Sequence, residues 1–189
     1  MLVSGGGSNL QSIIDAIETG KITNCEICLV ISSKADAYAL TRAEKHNLPA
    51  LVIERSLYKK NSDFSLALKN ELLKVSPDLV VLAGFLSILT DDFIDMFFDK
   101  IINVHPALIP SFCGQGFYGL RVHEAALQKG VKITGATVHF VTGEVDGGPI
   151  ILQKPVNVLP GDTPKTLQKR VMEEAEHIIL PQAIQLLCN

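Results

Sequence analysis

Short apolar runs alternate with stretches whose apolar residues recur at helical spacing, and this alternation constrains the fold more than any other feature of the chain. Residues 1–3, 25–31, 50–53, 79–82 and 101–104 read as strands. Between the first two, Leu10, Ile13, Ile14 and Ile17 recur at i, i+3, i+4 and i+7, which predicts a helix opening at Ser8-Asn9 and ending at Gly20. Residues 38–46 and 62–75 read as further helices, the second presenting Phe64, Leu66, Leu68, Leu72 and Leu73 as its apolar face. Strands separated by helices imply an α/β fold, a mostly parallel twisted sheet with helices on both faces. After residue 133 the period changes. Residues 133–141 and 150–158 alternate with period two across the loop 142–148, the mark of an antiparallel pair. Thr163 and Pro164 are a cap and first-position pair for a last helix, which Pro181 is expected to kink or restart. The expectation is a single domain over residues 1–189 with a Rossmann-like N-terminal half.

Composition removes several function classes. With 47% hydrophobic residues and a mean hydropathy of +0.28, the chain is too apolar to be disordered. Lys and Arg total 17 against 20 Asp and Glu, so no basic face is built in for nucleic acid or an anionic membrane. The most apolar stretch, residues 79–89, is far short of the ~20 residues of a membrane span. No targeting segment is read, and the cytoplasm is the expected compartment. Cys25, Cys28, Cys113 and Cys188 include one C-x-x-C inside an apolar run, with no second ligand pair. They are expected to be free thiols, and no metal is expected.

Three constellations carry chemistry. Ser4-Gly5-Gly6-Gly7-Ser8-Asn9 lies between a strand and a helix, where bare backbone and an N-terminal dipole can receive a phosphate. It matches neither the dinucleotide-binding fingerprint nor the P-loop, and a tight turn with a helix cap would read the same way. Asn103 and His105 lie two apart at a strand end, so they face one side, and Pro106 and Pro110 stiffen the segment beyond that end. Ligands in open α/β sheets bind beyond such ends. Asp146, in Glu144-Val145-Asp146-Gly147-Gly148-Pro149, fits ordinary turn chemistry; if it meets His105, it orients the ring and favours the imidazolium.

The segments SGGGSNLQSII, LAGFLSIL, NVHPALIPSF, GATVHFV and EVDGGPIILQ, in this order and over essentially the whole chain, resemble the phosphoribosylglycinamide formyltransferases of the folate-dependent formyltransferase family. The resemblance implies transfer of a formyl group from 10-formyltetrahydrofolate to the amine of glycinamide ribonucleotide, a step of purine synthesis. Asn103, His105 and Asp146 would be the catalytic set. Gly7, Ser8 and Asn9 would bind the substrate phosphate, while Glu173 and Glu176, at i, i+3 on the last helix, would hold its ribose or amine end. Leu86, Ser87, Ile88 and Leu89, together with Asn103, Thr142, Gly143, Glu144, Val145 and Asp146, would line the folate pocket. The implied partners are these two small molecules, with no nucleic acid, no membrane, and a monomer or weak homodimer.

Ser87 stands where many relatives carry Arg or Lys, and Asn61 where some carry an Arg near the folate tail. Residues 112–121 form a longer loop than in some relatives, with Cys113 expected near the surface. His139 reads as a packed or hydrogen-bonded residue supporting the site, His46 and His123 as surface, and His177 as a candidate neighbour of the substrate. Competing readings are a formyltetrahydrofolate deformylase, which would carry an extra regulatory domain, a methionyl-tRNA formyltransferase, which would carry a basic C-terminal domain, a non-catalytic folate-binding protein, and a dinucleotide-dependent dehydrogenase. The chain as given has neither extra domain, keeps all three catalytic positions and lacks the dinucleotide pattern, so the transferase is the expectation.

Overall fold

The computed structural model describes residues 1–188. Seven strands form one sheet: β1 (Leu2–Val3), β2 (Val30–Ser32), β3 (Ala50–Val52), β4 (Val80–Leu82), β5 (Ile101–His105), β6 (Ile133–Phe140) and β7 (Ile150–Asn157), in the order β3-β2-β1-β4-β5-β6-β7. The ladders from β3 to β5 are parallel, and β6 and β7 are added antiparallel. Buried apolar strands such as β4 suit a sheet covered on both faces. The helices are α1 (Ser8–Glu18), α2 (Tyr38–Lys45), α3 (Asn61–Val75), α4 (Asp91–Met96), α5 (Leu120–Lys129), α6 (Pro164–Val171) and α7 (His177–Leu187).

The α/β reading holds, with local corrections. The second strand is shorter than residues 25–31. Its ladder with β1 begins at Leu2 opposite Ile31, and on the other side Val30 already faces Ala50, just after α2 and its turn. Residues 25–29 therefore have no strand beside them. In α3, Phe64, Leu68 and Leu72 are buried, whereas Leu66 is 54% and Leu73 47% exposed. The i, i+4, i+8 stripe faces the sheet and the two remaining leucines lie off it. Each fully buried side chain of this kind contributes about 2 kcal/mol. Thr163 caps α6 through a reciprocal pair with Thr166, as its sequence implies. Pro181 does not break the last helix. The irregularity lies upstream, where Met172–Glu176 form a π-helical turn between α6 and α7.

The strand order reverses between β1 and β4, which are direct neighbours although β1 runs on to α1 and β4 to the loop before α4. At such a reversal the loops leaving the two strands diverge and open a crevice. The seam between the parallel and antiparallel halves runs along β5, so residues at its carboxyl end face that same crevice.

Candidate active site

A cavity of about 850 Å³ opens at this crevice, within the usual size for small-molecule sites. Residues 5–9 form one end, and residues 84–89 and 141–146 the other, with Asn103, Val104, His105 and Pro106 between them.

Four polar side chains converge at the β5 end. The period-two reading of Asn103 and His105 holds: both line the cavity. In the antiparallel register His139 lies opposite Asn103, and its Nε2 is 3.2 Å from Asn103 Nδ2. The loop 142–148 brings Asp146 back over β5 in a left-handed conformation, φ 56°. Its Oδ2 lies 3.4 Å from His105 Nδ1 and its Oδ1 lies 3.6 Å from His139 Nε2. The Gly114 N–H donates to Asp146 Oδ2 at 2.9 Å, and His105 Nε2 donates to the Phe112 carbonyl at 2.8 Å. Both His105 nitrogens thus face oxygen acceptors, an environment that satisfies the imidazolium. Burial nevertheless outweighs Asp146 and holds the His105 pKa below the ordinary histidine value. For Asp146, burial works to raise the pKa, but His139, His105 and the Gly114 N–H win and leave it below the usual carboxylate range. His139 Nδ1 donates to the Phe140 carbonyl at 2.8 Å, which fixes the ring with Nε2 facing both Asn103 Nδ2 and Asp146 Oδ1.

At the other end, Gly7 is the N-cap of α1 with φ 68°, and a Cβ there would lie 2.7 Å from Ala39 Cβ. Glycine is required both for the turn and for the approach of α2. Ser8 Oγ donates to Met172 Sδ at 2.9 Å, and Asn9 Nδ2 donates to Glu176 Oε2 at 2.7 Å. Asn9 and Glu176 are buried, Asn9 Oδ1 has no hydrogen-bond partner, and burial pushes the Glu176 carboxyl pKa up.

Glu173 does not join them. It points to solvent, 55% exposed, 3.8 Å from Lys169. The i, i+3 reading assumed α-helical phase, but the wider i→i+5 spacing of the π turn rotates Glu176 inward and leaves Glu173 outside. Leu86, Ser87, Ile88 and Leu89 line the apolar part of the cavity with Thr142, Gly143, Glu144 and Val145. Asn61 Nδ2 donates to the Ile88 carbonyl at 2.8 Å, so it braces this loop.

His123 is the clearest correction among the histidines. It is fully buried, lines the cavity, and neither ring nitrogen has a partner. Burial, with the charge of His105, lowers its pKa to about 4. The signal was present in the spacing: His123 shares its face of α5 with Val122 and Ala126, both buried. His46 is partly covered and lies 2.7 Å from Glu18, while His177 stands outside the cavity lining, which Arg42, unremarkable in the sequence, joins. Segment 112–119 contributes Gly114, Phe117 and Tyr118 to the lining, and Cys113, half-buried, donates to the Pro110 carbonyl. All four cysteines are free thiols.

Comparison with known proteins identifies the family and the fold. The family model described as formyl transferase matches residues 1–184. The phosphoribosylglycinamide formyltransferase of Haemophilus influenzae is 41% identical over 98% of this chain and 84% of its own length. The trifunctional purine biosynthetic protein adenosine-3 of Homo sapiens is 44% identical over the whole chain, which spans 18% of that protein. Among solved structures, glycinamide ribonucleotide transformylase 1 from Symbiobacterium toebii aligns with a TM-score of 0.92 and 43% identity, covering 99% of this chain and 85% of that one. The chain belongs to the formyl transferase family.

Proposed function

We propose that the chain transfers the formyl group of 10-formyltetrahydrofolate to the amine of 5'-phosphoribosylglycinamide, with Asn103, His105 and Asp146 as the catalytic set. The observation that carries this reading is the meeting of those three side chains in one cavity whose far end is the residue 5–9 loop. The substrate amine attacks the formyl carbon and the formyl oxygen becomes an oxyanion. Asn103 donates a hydrogen bond to it, an effect worth about 3 kcal/mol for a well-placed donor, and the His105 imidazolium beside it adds positive charge. Asp146 favours the charged ring and accepts, directly or through water, the proton that the amine gives up. The leaving folate nitrogen takes that proton as the tetrahedral carbon collapses and its bond to this nitrogen breaks. His139 holds the Asn103 amide in position. Leu86, Ile88, Leu89, Val141 and Val145 offer an apolar slot that fits the flat pterin ring. Gly7, Ser8 and Asn9 receive the phosphate, and Glu176 with Asn9 receives a sugar hydroxyl or the amine. The small-molecule partners and the folate co-substrate follow from this assignment, and residues 1–189 are taken as one domain that performs it.

A product assay tests the reading. Formylated ribonucleotide and tetrahydrofolate should form only when both substrates are present. Formate release without the ribonucleotide would replace the transferase with a hydrolase.

A further inference from the structure

We propose that Arg42 is the cation that meets the phosphate of the phosphoribosyl substrate beside the residue 5–9 loop. The identity of that substrate rests on the formyl-transfer reading above.

The charge around the cavity makes the case. Arg42 is the one lysine or arginine among its lining residues, which also include the carboxylates Glu144, Asp146 and Glu176. An incoming dianion therefore meets a net negative wall, and the α1 N-terminus offsets only about half a charge. Arg42 stands at the end where the phosphate would dock. Its Nε donates to the Gly6 carbonyl at 2.9 Å and its Nη1 donates to Gln11 Oε1 at 3.0 Å, while its Cζ lies 5.1 Å over the Tyr38 ring. These contacts fix the guanidinium plane and use two of its five donors. Among the described residues no carboxylate lies within ion-pair distance of it. A guanidinium held in place and left without a counter-anion is pre-organised for phosphate.

The packing of α2 sets its position. The Ala39 N–H donates to the Gly5 carbonyl at 3.1 Å, and a Cβ on Gly7 would lie 3.3 Å from Arg42 Cδ. The arginine stem therefore rests on the same turn that presents the α1 N–H groups. A second observation comes from the buried Oδ1 of Asn9, an acceptor in the same cavity with no partner. A cation and an unused acceptor lining one cavity suit a phosphate joined to a hydroxyl-bearing sugar, which supplies an anion to the one and a donor to the other.

The test compares the wild type, Arg42→Gln and Arg42→Lys on phosphoribosylglycinamide and on its dephosphorylated counterpart. Arg42→Gln should raise KM for the phosphorylated substrate about 10–100-fold, the loss of one charge-assisted contact. The effect should fall on KM rather than kcat, leave the folate KM unchanged, vanish with the dephosphorylated substrate, and be partly reversed in Arg42→Lys. An equal penalty on both substrates would mean that Arg42 only braces the Gly6 turn, and an unchanged KM would put the phosphate elsewhere; either overturns the proposal. Calorimetry with ribose 5-phosphate separates it from the reaction assigned above. Binding that is lost in Arg42→Gln sustains the proposal even if the wild type transfers no formyl group. Absence of binding to the wild type overturns it even if transfer occurs.

Discussion

Replacing Asp146 with Asn removes a charge and the ability to accept the amine's proton, which lowers the plateau of activity, while leaving the site's shape intact. The side chain keeps its shape, and the amide oxygen can still accept from the Gly114 N–H. What disappears is the attraction across 3.4 Å to His105 Nδ1. At that distance Coulomb's law gives about 5 kcal/mol for an effective dielectric near 20 and about 1 kcal/mol in full solvent. Set against ~1.4 kcal/mol per factor of ten, the charged ring should become about 10–1000-fold scarcer, and the His105 pKa should fall. Burial already holds that pKa below the ordinary histidine value, and Asp146 is the main force opposing it. The charged ring is the working form in the mechanism, so activity is lost as pH rises through the His105 pKa. In Asp146→Asn this loss moves to lower pH. At neutral pH kcat should drop about 10–1000-fold and then recover about tenfold for each unit of acidification, until the new pKa is reached. Steady-state kcat as a function of pH, with both substrates saturating, reads the limb directly. Carbon-13 NMR of the His105 ring reads the corresponding shift in the free enzyme without turnover. A limb at an unchanged pH, whatever the plateau height, would refute the idea that Asp146 acts by keeping His105 charged.

Gly148→Ala should destabilise the fold by about 2–4 kcal/mol, because its Cβ would be driven onto the Phe140 carbonyl. Urea unfolding midpoints check this, and a change within about 0.5 kcal/mol would mean that the 142–148 loop can shift freely. His123 stays neutral in the fold, with a pKa near 4 against 6.5 when unfolded. Its contribution is therefore complete above the unfolded value and is lost as pH falls, by about 3 kcal/mol once both forms are protonated. His123→Leu should flatten the stability profile between about pH 6.5 and pH 4, and equal slopes in both proteins would contradict the burial argument. Ser8→Asp should raise the ribonucleotide KM through repulsion of the phosphate while leaving the folate KM alone; the reverse pattern would move the phosphate away from α1.

The elements legible in the sequence were those with a strong period. The β6–β7 pair and the Asn103/His105 pair follow from alternation, and α1 from its i, i+3, i+4 spacing. What escaped has physical causes. The six residues of α4 are too few for a helical period to stand out, although Thr90, Asp91 and Asp92 form a helix start. Residues 25–29 are as apolar as a strand, but pairing depends on neighbours that sequence spacing does not reveal. The meeting of Asp146 with His105 depends on a loop folding back over β5, and only the resemblance to formyltransferases joined them beforehand. Nothing in the sequence marks Arg42. Its importance lies in which loop α2 packs against and in the acidity of the rest of the lining.

The π turn at Met172–Glu176 makes the C-terminal helices a phased device. Leu167, Val171, Ala175, Ile179 and Ala183 are all buried, spaced by fours. In a regular α-helix each step of four overshoots a full turn by about 40°, so this stripe would wind away from the sheet. The wider turn absorbs part of that overshoot, and so lets one continuous helix keep its apolar face inward at both ends while aiming Glu176 at Asn9. Chain length here is therefore a coordinate of the site. Deleting one residue between 172 and 176 would restore α-helical pitch, and since five residues of a π turn cover roughly the rotation of four in an α-helix, α6 and α7 would keep their packing while the carboxylate beneath the glycine loop lost its aim.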